Sequence, residues 1–312
     1  MNPAIEAKGL TKRFGELTAV DDLSLTVERA EILGFLGPNG AGKTTTTRIL
    51  AGMIAPTNGY AQVLGLRSDR NPERLHRRIG LLTETPGFYE RMSATENLLY
   101  FAGFYDIDGQ KQAKRYLKRM GLWERRDHRV SGFSKGMLQK LALARALIHE
   151  PEILFLDEPT AGLDPEAARE VRELIGELQT EGHTIFLSTH NLEEAEQLCN
   201  RIALIRTRLL VVDSVKTLKA KTFQQEVVVE LTKADDRVVG AVQKLPFVLA
   251  VSLDGSTLSV EMVDAKKNSP KLVRCIVEAN GNILSVIERS HSLEDLYLHL
   301  IKEEEKNTDD EN

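Results

Sequence analysis

Five short motifs in this sequence contain the residue types with which proteins bind and cleave phosphate groups. In order along the chain they are GPNGAGKT at 37–44, FSKGM at 133–137, ILFLDEPT at 153–160, AGLD at 161–164 and STH at 188–190. Any one of them could arise by chance. All five in this order predict a protein that binds and hydrolyses a nucleotide, and they suggest that a second copy or a close relative of the same domain completes the site.

The first motif fits the phosphate-binding loop pattern G-x-x-x-x-G-K-[ST] between an apolar run and a predicted helix. Glycines let backbone N–H groups converge on phosphate oxygens, and the helix adds its positive end. We expect Lys43 to reach the β- and γ-phosphates and the Thr44 hydroxyl to bind Mg²⁺. A glycine-rich turn without a ligand is the alternative. The predicted nucleotide contacts of this loop are Gly37, Pro38, Asn39, Gly40, Ala41, Gly42, Lys43, Thr44 and Thr45.

Two carboxylates and a histidine follow predicted buried strands. Asp157 and Glu158 end the apolar run of ILFLDEPT, and His190 ends a second run through Ser188 and Thr189. The carboxyl ends of strands in an α/β sheet form its ligand-binding edge. We expect Asp157 to hold Mg²⁺, Glu158 to orient or deprotonate the attacking water, and His190 to contact the γ-phosphate. The alternatives are a solvated Asp-Glu-Pro turn and a structural histidine; the other histidines are expected to be surface residues.

A second anion-binding end is predicted where Ser134, Lys135 and Gly136 open a long helix. A hydroxyl, a small residue and a helix N-terminus together favour an anion. One nucleotide needs only one phosphate loop, and Lys43 already belongs to it. Ser134 and Gly136 would therefore serve a nucleotide held by a facing subunit, while an ordinary serine N-cap is the alternative.

Apolar periodicity predicts the elements that position these residues. Three buried strands at 30–36, 152–156 and 184–188 alternate with helices, as in a mostly parallel α/β sheet. We predict the α/β fold of a P-loop NTPase core in a domain at 1–215, with an inserted α-helical subdomain at about 85–150. Residues 216–312 are predicted to form a small α+β, ferredoxin-like βαββαβ domain with a closing helix at 293–303 and a solvated acidic tail.

Composition limits the class of protein. The chain of 312 residues has a net charge of −5, so no general attraction to nucleic acid is indicated. Cys199 and Cys275 are the two cysteines, and neither a disulfide nor a metal cluster is expected. No run approaches the roughly 20 apolar residues that cross a bilayer. If the protein works at a membrane, we expect another chain to cross it.

The motif set resembles the nucleotide-binding subunit of an ATP-binding cassette (ABC) transporter over residues 4–212. The resemblance implies a head-to-tail dimer, homo- or heteromeric, that binds ATP and Mg²⁺ between the phosphate loop of one subunit and residues 134–137 of the other. It also implies that Asp164 crosses the dimer interface and that Phe14 stacks on adenine, although Phe14 alone suits a core residue. A separate transmembrane permease would be the partner, and the chain would lie at the cytoplasmic face of the cell membrane.

Two positions depart from the family pattern. FSKGM replaces the usual Leu-Ser-Gly-Gly-Gln and is similar to the form of ABC-2 type exporters, which points to the drug-resistance branch. Glu84 stands where the family has Gln; either residue offers an oxygen to Mg²⁺ or to the lytic water, and a solvated loop is its alternative. The resemblance also implies that the permease contacts the surface around residues 88–92 (FYERM), for which local packing is the alternative, whereas Trp123 is expected in the core.

Three other functions compete with transport. A non-transport ABC ATPase acting on nucleic acid or ribosomes would usually have two cassettes, long coiled coils or basic surfaces. A P-loop kinase or GTPase would leave Ser134 and His190 without a role, and no Asn-Lys-x-Asp motif is present. An inactive regulatory subunit is favoured only by Glu84. The sequence therefore predicts an ATP-hydrolysing subunit of an ABC exporter, and it does not indicate the cargo.

Overall fold

The computed structural model describes residues 2–233, 235–289 and 291–310. The chain divides into two compact units between Ser214 and Val215. Both cysteines are free thiols. None of the helices in the described ranges is both long enough and apolar enough to cross a bilayer.

Strands of the first unit form two sheets. Their bounds are β1 (Ile5–Phe14), β2 (Leu17–Val27), β3 (Ile32–Leu36), β4 (Asn58–Val63), β5 (Leu66–Arg67), β6 (Ile79–Leu82), β7 (Ile153–Asp157), β8 (Thr184–Thr189), β9 (Arg201–Arg206) and β10 (Arg208–Asp213). The helices are α1 (Lys43–Leu50), α2 (Pro72–His76), α3 (Ala94–Ala102), α4 (Gly109–Arg119), α5 (Lys135–Leu147), α6 (Pro165–Thr180) and α7 (Leu192–Leu198). Short 3₁₀ turns cover Trp123–Arg125 and Val130–Gly132.

The sheet that carries the predicted site has the strand order β10-β9-β3-β8-β7-β6. All its neighbours are parallel except the β9–β10 pair. Strands β3, β7 and β8 are buried along their whole length, which explains their continuous apolar runs. Leu36 pairs with Thr189 and Asp157 pairs with Ser188, so the carboxyl ends of these three strands lie side by side.

The second sheet of this unit was not anticipated. It is antiparallel, with the order β2-β1-β4-β5. Strand β1 contains charged residues and shifts its register after Ala7 and after Leu10. Such irregularities interrupt the two-residue alternation by which a half-buried strand is recognised.

Helices α3, α4 and α5 follow one another between β6 and β7, where the helical subdomain was predicted. Ser93 and Glu96 form a reciprocal capping box at the start of α3, and Asp108 caps α4 through the N–H of Lys111. Their apolar faces share one buried cluster with the face of the six-stranded sheet. Apolar periodicity predicts helices at 94–104, 110–120 and 134–149, and the observed bounds agree with these to within about two residues, as expected for helix termini.

The second unit contains α8 (Val215–Thr222), β11 (Gln225–Leu231), α9 (Asp236–Gln243), β12 (Val248–Asp254), β13 (Thr257–Met262), α10 (Ala265–Glu278), β14 (Ile283–Arg289) and α11 (Leu293–Asp310). Its sheet is antiparallel with the order β12-β13-β11-β14. The sequence predicts a helix at 270–279 here, but α10 begins five residues earlier, at Ala265, because Asp264 accepts a hydrogen bond from the N–H of Lys267. The predicted end of the closing helix at residue 303 was too early, because α11 continues to Asp310, while residues 311–312 of the predicted solvated tail lie outside the described residues.

Candidate functional site

A cleft of about 360 Å³ lies at the carboxyl edge of the six-stranded sheet. It brings together most of the predicted site residues, which come from the end of β1, the loop after β3, the loop after β6 and the ends of β7 and β8. The predicted residues that line it are Phe14, Pro38, Asn39, Gly40, Gly42, Lys43, Thr44, Thr45, Glu84, Asp157, Glu158 and His190. Parallel strands create this geometry because their carboxyl ends meet at one edge.

The loop between β3 and α1 wraps around the Lys43 side chain. Its Nζ donates hydrogen bonds to the carbonyl oxygens of Gly37, at 2.7 Å, and of Pro38, at 3.2 Å. Gly42 has a φ of +97°, and a Cβ there would lie 2.3 Å from the carbonyl oxygen of Ala19. The loop can therefore hold this shape only with glycine at that position.

Burial lowers the pKa of the Lys43 ammonium, while the nearby charges of Glu158, Asp157 and Glu84 act in the opposite direction. An ammonium in this position has lost much of its water. It therefore gains from a bound anion, since an anion would replace the lost solvation. Lys43 at the start of α1 also lies where the helix presents its positive end.

The Asp157 carboxylate at the end of β7 is buried between two hydroxyl groups. Its Oδ2 accepts a hydrogen bond from Thr44 Oγ1 at 3.1 Å, and its Oδ1 accepts one from Ser188 Oγ on β8. Ser188 is fully buried. The two oxygens facing the cleft, from a carboxylate and a hydroxyl, are hard ligands of the type that Mg²⁺ prefers.

Glu158 has a different environment from its neighbour. Its backbone φ is +52°, a conformation that non-glycine residues rarely adopt. Its N–H donates to the carbonyl of Ser188 at 2.8 Å, and its Oε2 accepts from Thr189 Oγ1 at 3.3 Å. Oε1 lies 2.7 Å from Nδ1 of His190, so a tautomer protonated on Nδ1 donates to the carboxylate. Glu158 is thus fixed by three contacts with the end of β8 and the residue after it.

Five predicted site residues do not line the cleft. Ser134 and Asp164 are the exposed N-caps of α5 and α6, and their side chains accept hydrogen bonds from the N–H groups of Met137 and Ala167. A Cβ on Gly136 would lie 3.0 Å from the Cβ of Ala167, so the two helix starts are adjacent. Gly37 and Ala41 also do not line the cleft.

Sequence reasoning missed the buried carboxyl of Glu194 in the first turn of α7. Its Oε1 accepts a hydrogen bond from Thr160 Oγ1 at 2.7 Å, and burial raises its pKa. Glu in a first helical turn usually balances the helix dipole, so its sequence position did not signal burial. Gln139 of α5 was also missed; its Nε2 donates to the carbonyl of Pro159 at 2.7 Å.

The structure contradicts two expectations about aromatic and histidine side chains. The alternative that placed Phe14 in the core was wrong, because 50% of its surface is exposed at the cleft. The expectation that His149 is a surface residue was also wrong. Its ring stacks on Tyr105 with centroids 4.0 Å apart, its Nε2 lies 2.8 Å from the carbonyl oxygen of Ile79, and burial lowers its pKa.

His149 lines a second cavity, of about 560 Å³, next to α3 and α5. Aromatic residues Phe101, Phe104 and Tyr105 line one part of it, together with Arg145. In the nearby segment at 88–92, Tyr89 is half exposed and packs edge-on against Tyr100 with centroids 4.8 Å apart. Local packing therefore accounts for part of that segment, but an aromatic surface stays accessible.

Comparison with known proteins gives consistent matches. A family model described as "ABC transporter" matches residues 20–161. The chain is 37% identical to the bacitracin transport ATP-binding protein BcrA of Bacillus licheniformis over 96% of this chain and 98% of that protein. It is 36% identical to the daunorubicin resistance ATP-binding protein DrrA3 of Streptomyces coeruleorubidus over 95% of each.

Solved structures give the same result for the fold. The structure of an ATP-binding subunit of an ABC transporter covers 70% of this chain and 92% of its own, with a TM-score of 0.65 and 30% identity. A dimeric post-hydrolysis state of the ATP-binding cassette MJ0796, bound to ADP and Pi, covers 68% of this chain and 98% of its own, with a TM-score of 0.62 and 24% identity. The α/β core of this chain is therefore that of a nucleotide-binding cassette.

Proposed function

This chain belongs to the ATP-binding subunits of ABC transporters, and we propose that it hydrolyses ATP to drive export through a separate membrane permease. The observation that carries the proposal is the cleft in which Lys43 faces Asp157, Glu158 and His190. Export is supported by the names of BcrA and DrrA3, which refer to bacitracin transport and daunorubicin resistance, and both are matched along nearly their whole length. The alternative of a nucleic-acid or ribosome ATPase receives no support from these relatives.

We propose that the loop at 37–45 binds the phosphates of ATP and that Phe14 stacks on the adenine ring. Lys43 would exchange its hydrogen bonds to Gly37 and Pro38 for phosphate oxygens, which its poor solvation favours. Phe14 lines the cleft with half of its surface exposed, so its aromatic ring is accessible for stacking. Thr45 would add a hydroxyl contact.

Thr44 and Asp157 would hold Mg²⁺ with the nucleotide, and Glu84 offers a further oxygen. The fit rests on the short distance between Thr44 Oγ1 and Asp157 Oδ2 and on the oxygen chemistry of all three groups. When bound, Mg²⁺ neutralises charge on the terminal phosphates. Ser188 would orient this site, since its hydroxyl donates a hydrogen bond to Oδ1 of Asp157, the oxygen that Thr44 does not contact.

Glu158 is the proposed base of hydrolysis. Water attacks the γ-phosphorus, the bond to the β–γ bridging oxygen breaks, and the water proton passes to the Glu158 carboxylate, leaving ADP and phosphate. Contacts with Thr189 and His190 hold this carboxylate before the reaction. Nδ1 of His190 donates to Glu158, so only the imidazolium form has a second N–H, on Nε2, and in that form Nε2 would donate a hydrogen bond to the γ-phosphate.

Ser134, Gly136 and Asp164 would act on the nucleotide of a second subunit. They lie at two adjacent helix N-termini outside the subunit's own cleft, and helix N-termini attract phosphate. A dimer that places this surface over the facing phosphate loop would close on ATP and loosen after hydrolysis. The switch would then depend on the γ-phosphate, which contacts both subunits only before cleavage.

The aromatic cavity beside His149 would receive a segment of the permease. Apolar and aromatic walls with a few polar groups are typical of such docking grooves, and Tyr89 extends the accessible aromatic surface. The permease would hold the chain at the cytoplasmic face of the cell membrane. We assign α3 to α5 to the helical insertion of the cassette and the second unit to a ferredoxin-like accessory domain, on the basis of its βαββαβ order.

Glu158→Gln tests the reaction. We expect ATP binding to persist and turnover to fall at least about 100-fold, the usual range for loss of a general base. Binding would be measured by calorimetry and turnover by phosphate release, with Glu278→Gln, an exposed residue of the second unit, as the matched control. Turnover at the unsubstituted rate would refute the role of Glu158. Purification of the chain from detergent-solubilised membranes tests transport, since a polytopic membrane protein should accompany it.

A further inference from the structure

One segment of this acidic protein is strongly basic. Residues 109–129 contain eight Lys and Arg side chains and two acidic ones, in a chain whose net charge is −5. The segment covers α4 and the 3₁₀ turn Trp123–Arg125 that follows it. Neither the nucleotide cleft nor the aromatic cavity beside His149 includes any of these residues. The proposed ATPase function therefore leaves this concentration of positive charge unexplained.

Three of the lysines form one face of α4. Lys111, Lys114 and Lys118 are all exposed and lie within an arc of about 60° at the helical repeat of 3.6 residues per turn. Within the part of the chain that the structure describes, no carboxylate lies within 4.0 Å of their ammonium groups. Arg115 and Arg119 differ, since Arg115 pairs with Glu150 and Arg119 pairs with Glu177 and Glu181.

Trp123 lies among these cations. Its ring centroid is 4.4 Å from the guanidinium carbon of Arg126, 5.4 Å from Nζ of Lys118 and 5.9 Å from Nζ of Lys114. Trp123 packs against the buried cluster of this unit, as expected of a core residue, but its side chain is also partly exposed. A cavity of about 540 Å³ opens beside it, lined also by Lys111. We call Lys111, Lys114, Lys118, Trp123 and Arg126 the basic face.

The basic face holds like charges close together. The negative face of the indole ring attracts Lys114, Lys118 and Arg126, but the cations repel one another, and Asp127 pairs with Arg126 alone. Multiple anions that approach from solvent would relieve this repulsion. The ring adds an amphipathic group of the type that lies at membrane–water interfaces, with an apolar body and one polar N–H.

We propose that the basic face binds the headgroups of anionic phospholipids and thereby lays α4 against the membrane surface. This inference goes beyond the proposed function, which needs no direct contact between this chain and lipid. Lysine ammonium groups act as separate point charges that suit mobile, scattered headgroups, whereas bidentate arginine forks suit a fixed phosphate. A single indole ring also offers no row of stacking platforms for nucleic-acid bases. Membership of a transporter family supplies the bilayer beside which the chain works.

Trp123 is the only tryptophan of the chain, so its fluorescence reports on the basic face alone. The full chain would be mixed with vesicles of phosphatidylcholine, with and without phosphatidylserine, and no nucleotide. We expect a blue shift of the emission and quenching by brominated acyl chains only with the anionic vesicles. Both signals should decline as salt is added, because exposed charges are screened.

The variant Lys111→Glu/Lys114→Glu/Lys118→Glu should partition onto anionic vesicles at least about 100-fold more weakly, given the usual contribution of each lysine near such a surface. The matched control is Lys244→Glu/Lys266→Glu/Lys267→Glu, which changes three exposed lysines of the second unit and gives the same net charge. We expect the control to bind as the unsubstituted chain does. Circular dichroism and ATPase activity would verify that both variants are folded.

Two outcomes would overturn the proposal. Equal weakening in both triple variants would mean that diffuse charge causes the binding. A change of Trp123 fluorescence with short nucleic acid or with an acidic peptide, but not with anionic vesicles, would assign the basic face to that other partner. Neither result depends on nucleotide or permease, so failure of this inference is distinguishable from failure of the proposed transport function.

Discussion

Removal of the buried hydroxyl of Ser188 should lower both the free energy of unfolding of the first unit and its affinity for Mg²⁺. In Ser188→Ala, the Oδ1 atom of Asp157 loses its hydrogen-bond donor, while Thr44 still contacts Oδ2. Ser188 is fully buried and Asp157 is 5% exposed, so water cannot easily replace the donor. A hydrogen bond to a charged group contributes about 1.5–3 kcal/mol. For a unit of this size, the loss corresponds to a fall of about 3–12 °C in Tm.

The same substitution releases a carboxylate that we expect to bind Mg²⁺. Loss of such an outer partner typically lowers metal affinity about 10–100-fold. The concentration of Mg²⁺ that gives half-maximal ATPase activity should rise accordingly, and calorimetry should follow Tm of the full chain. Ser131→Ala is the control, because this serine is exposed. A Tm and a Mg²⁺ dependence equal to those of the control would refute the argument that Ser188 supports Asp157.

Three further substitutions test other parts of the site. Gly42→Ala should lower ATP affinity more than about 10-fold, measured by calorimetry, because φ is +97° and the new Cβ meets the Ala19 carbonyl. Glu194→Gln should stabilise the protein increasingly as pH rises above 4.5, measured by urea midpoints, because burial raises the pKa of Glu194 and the unfolded chain loses this proton first. His149→Gln should remove a loss of stability that develops as pH falls below 6.5, since burial lowers the pKa of His149.

Each of these predictions has an outcome that contradicts it. Gly15→Ala, with φ of +58° but no atom within 4 Å of the new Cβ, separates backbone strain from collision with a neighbour. If Gly42→Ala binds ATP as Gly15→Ala does, the steric argument is wrong. For Glu194→Gln and His149→Gln, stability curves that stay parallel to the unsubstituted protein across pH would show that neither group titrates differently in the folded and unfolded states.

The parallel sheet could be predicted because its strands are buried on both faces. In β3, β7 and β8 nearly every residue is apolar until the strand ends in a polar motif, and this pattern needs no knowledge of the neighbouring strands. The antiparallel sheet could not be predicted in the same way. The alternation of buried and exposed residues in β1 can be recognised only when the positions of its bulges are known. These positions are fixed by pairing with β2 and β4.

The candidate site likewise contains residues that the sequence alone predicts and others that depend on contacts between distant segments. Motifs of consecutive residues were enough to assign the roles of Lys43, Asp157 and Glu158. The support of Asp157 by Ser188 could not be predicted, because it depends on the register of two strands whose paired residues are 31 positions apart. The environment of Glu194 could not be predicted for a similar reason, since its hydrogen-bond partner Thr160 is 34 positions away in the sequence.

The register of β7 and β8 also explains how two adjacent carboxylates can have different functions. Asp157 pairs with Ser188 and takes its hydroxyl, while the positive φ of Glu158 turns the next side chain toward Thr189. Each carboxylate therefore has its own hydroxyl donor from the neighbouring strand, and neither competes for the other's. Ser188→Ala should accordingly act on the metal site and Glu158→Gln on the attacking water, so that the two substitutions report on separable steps of one reaction.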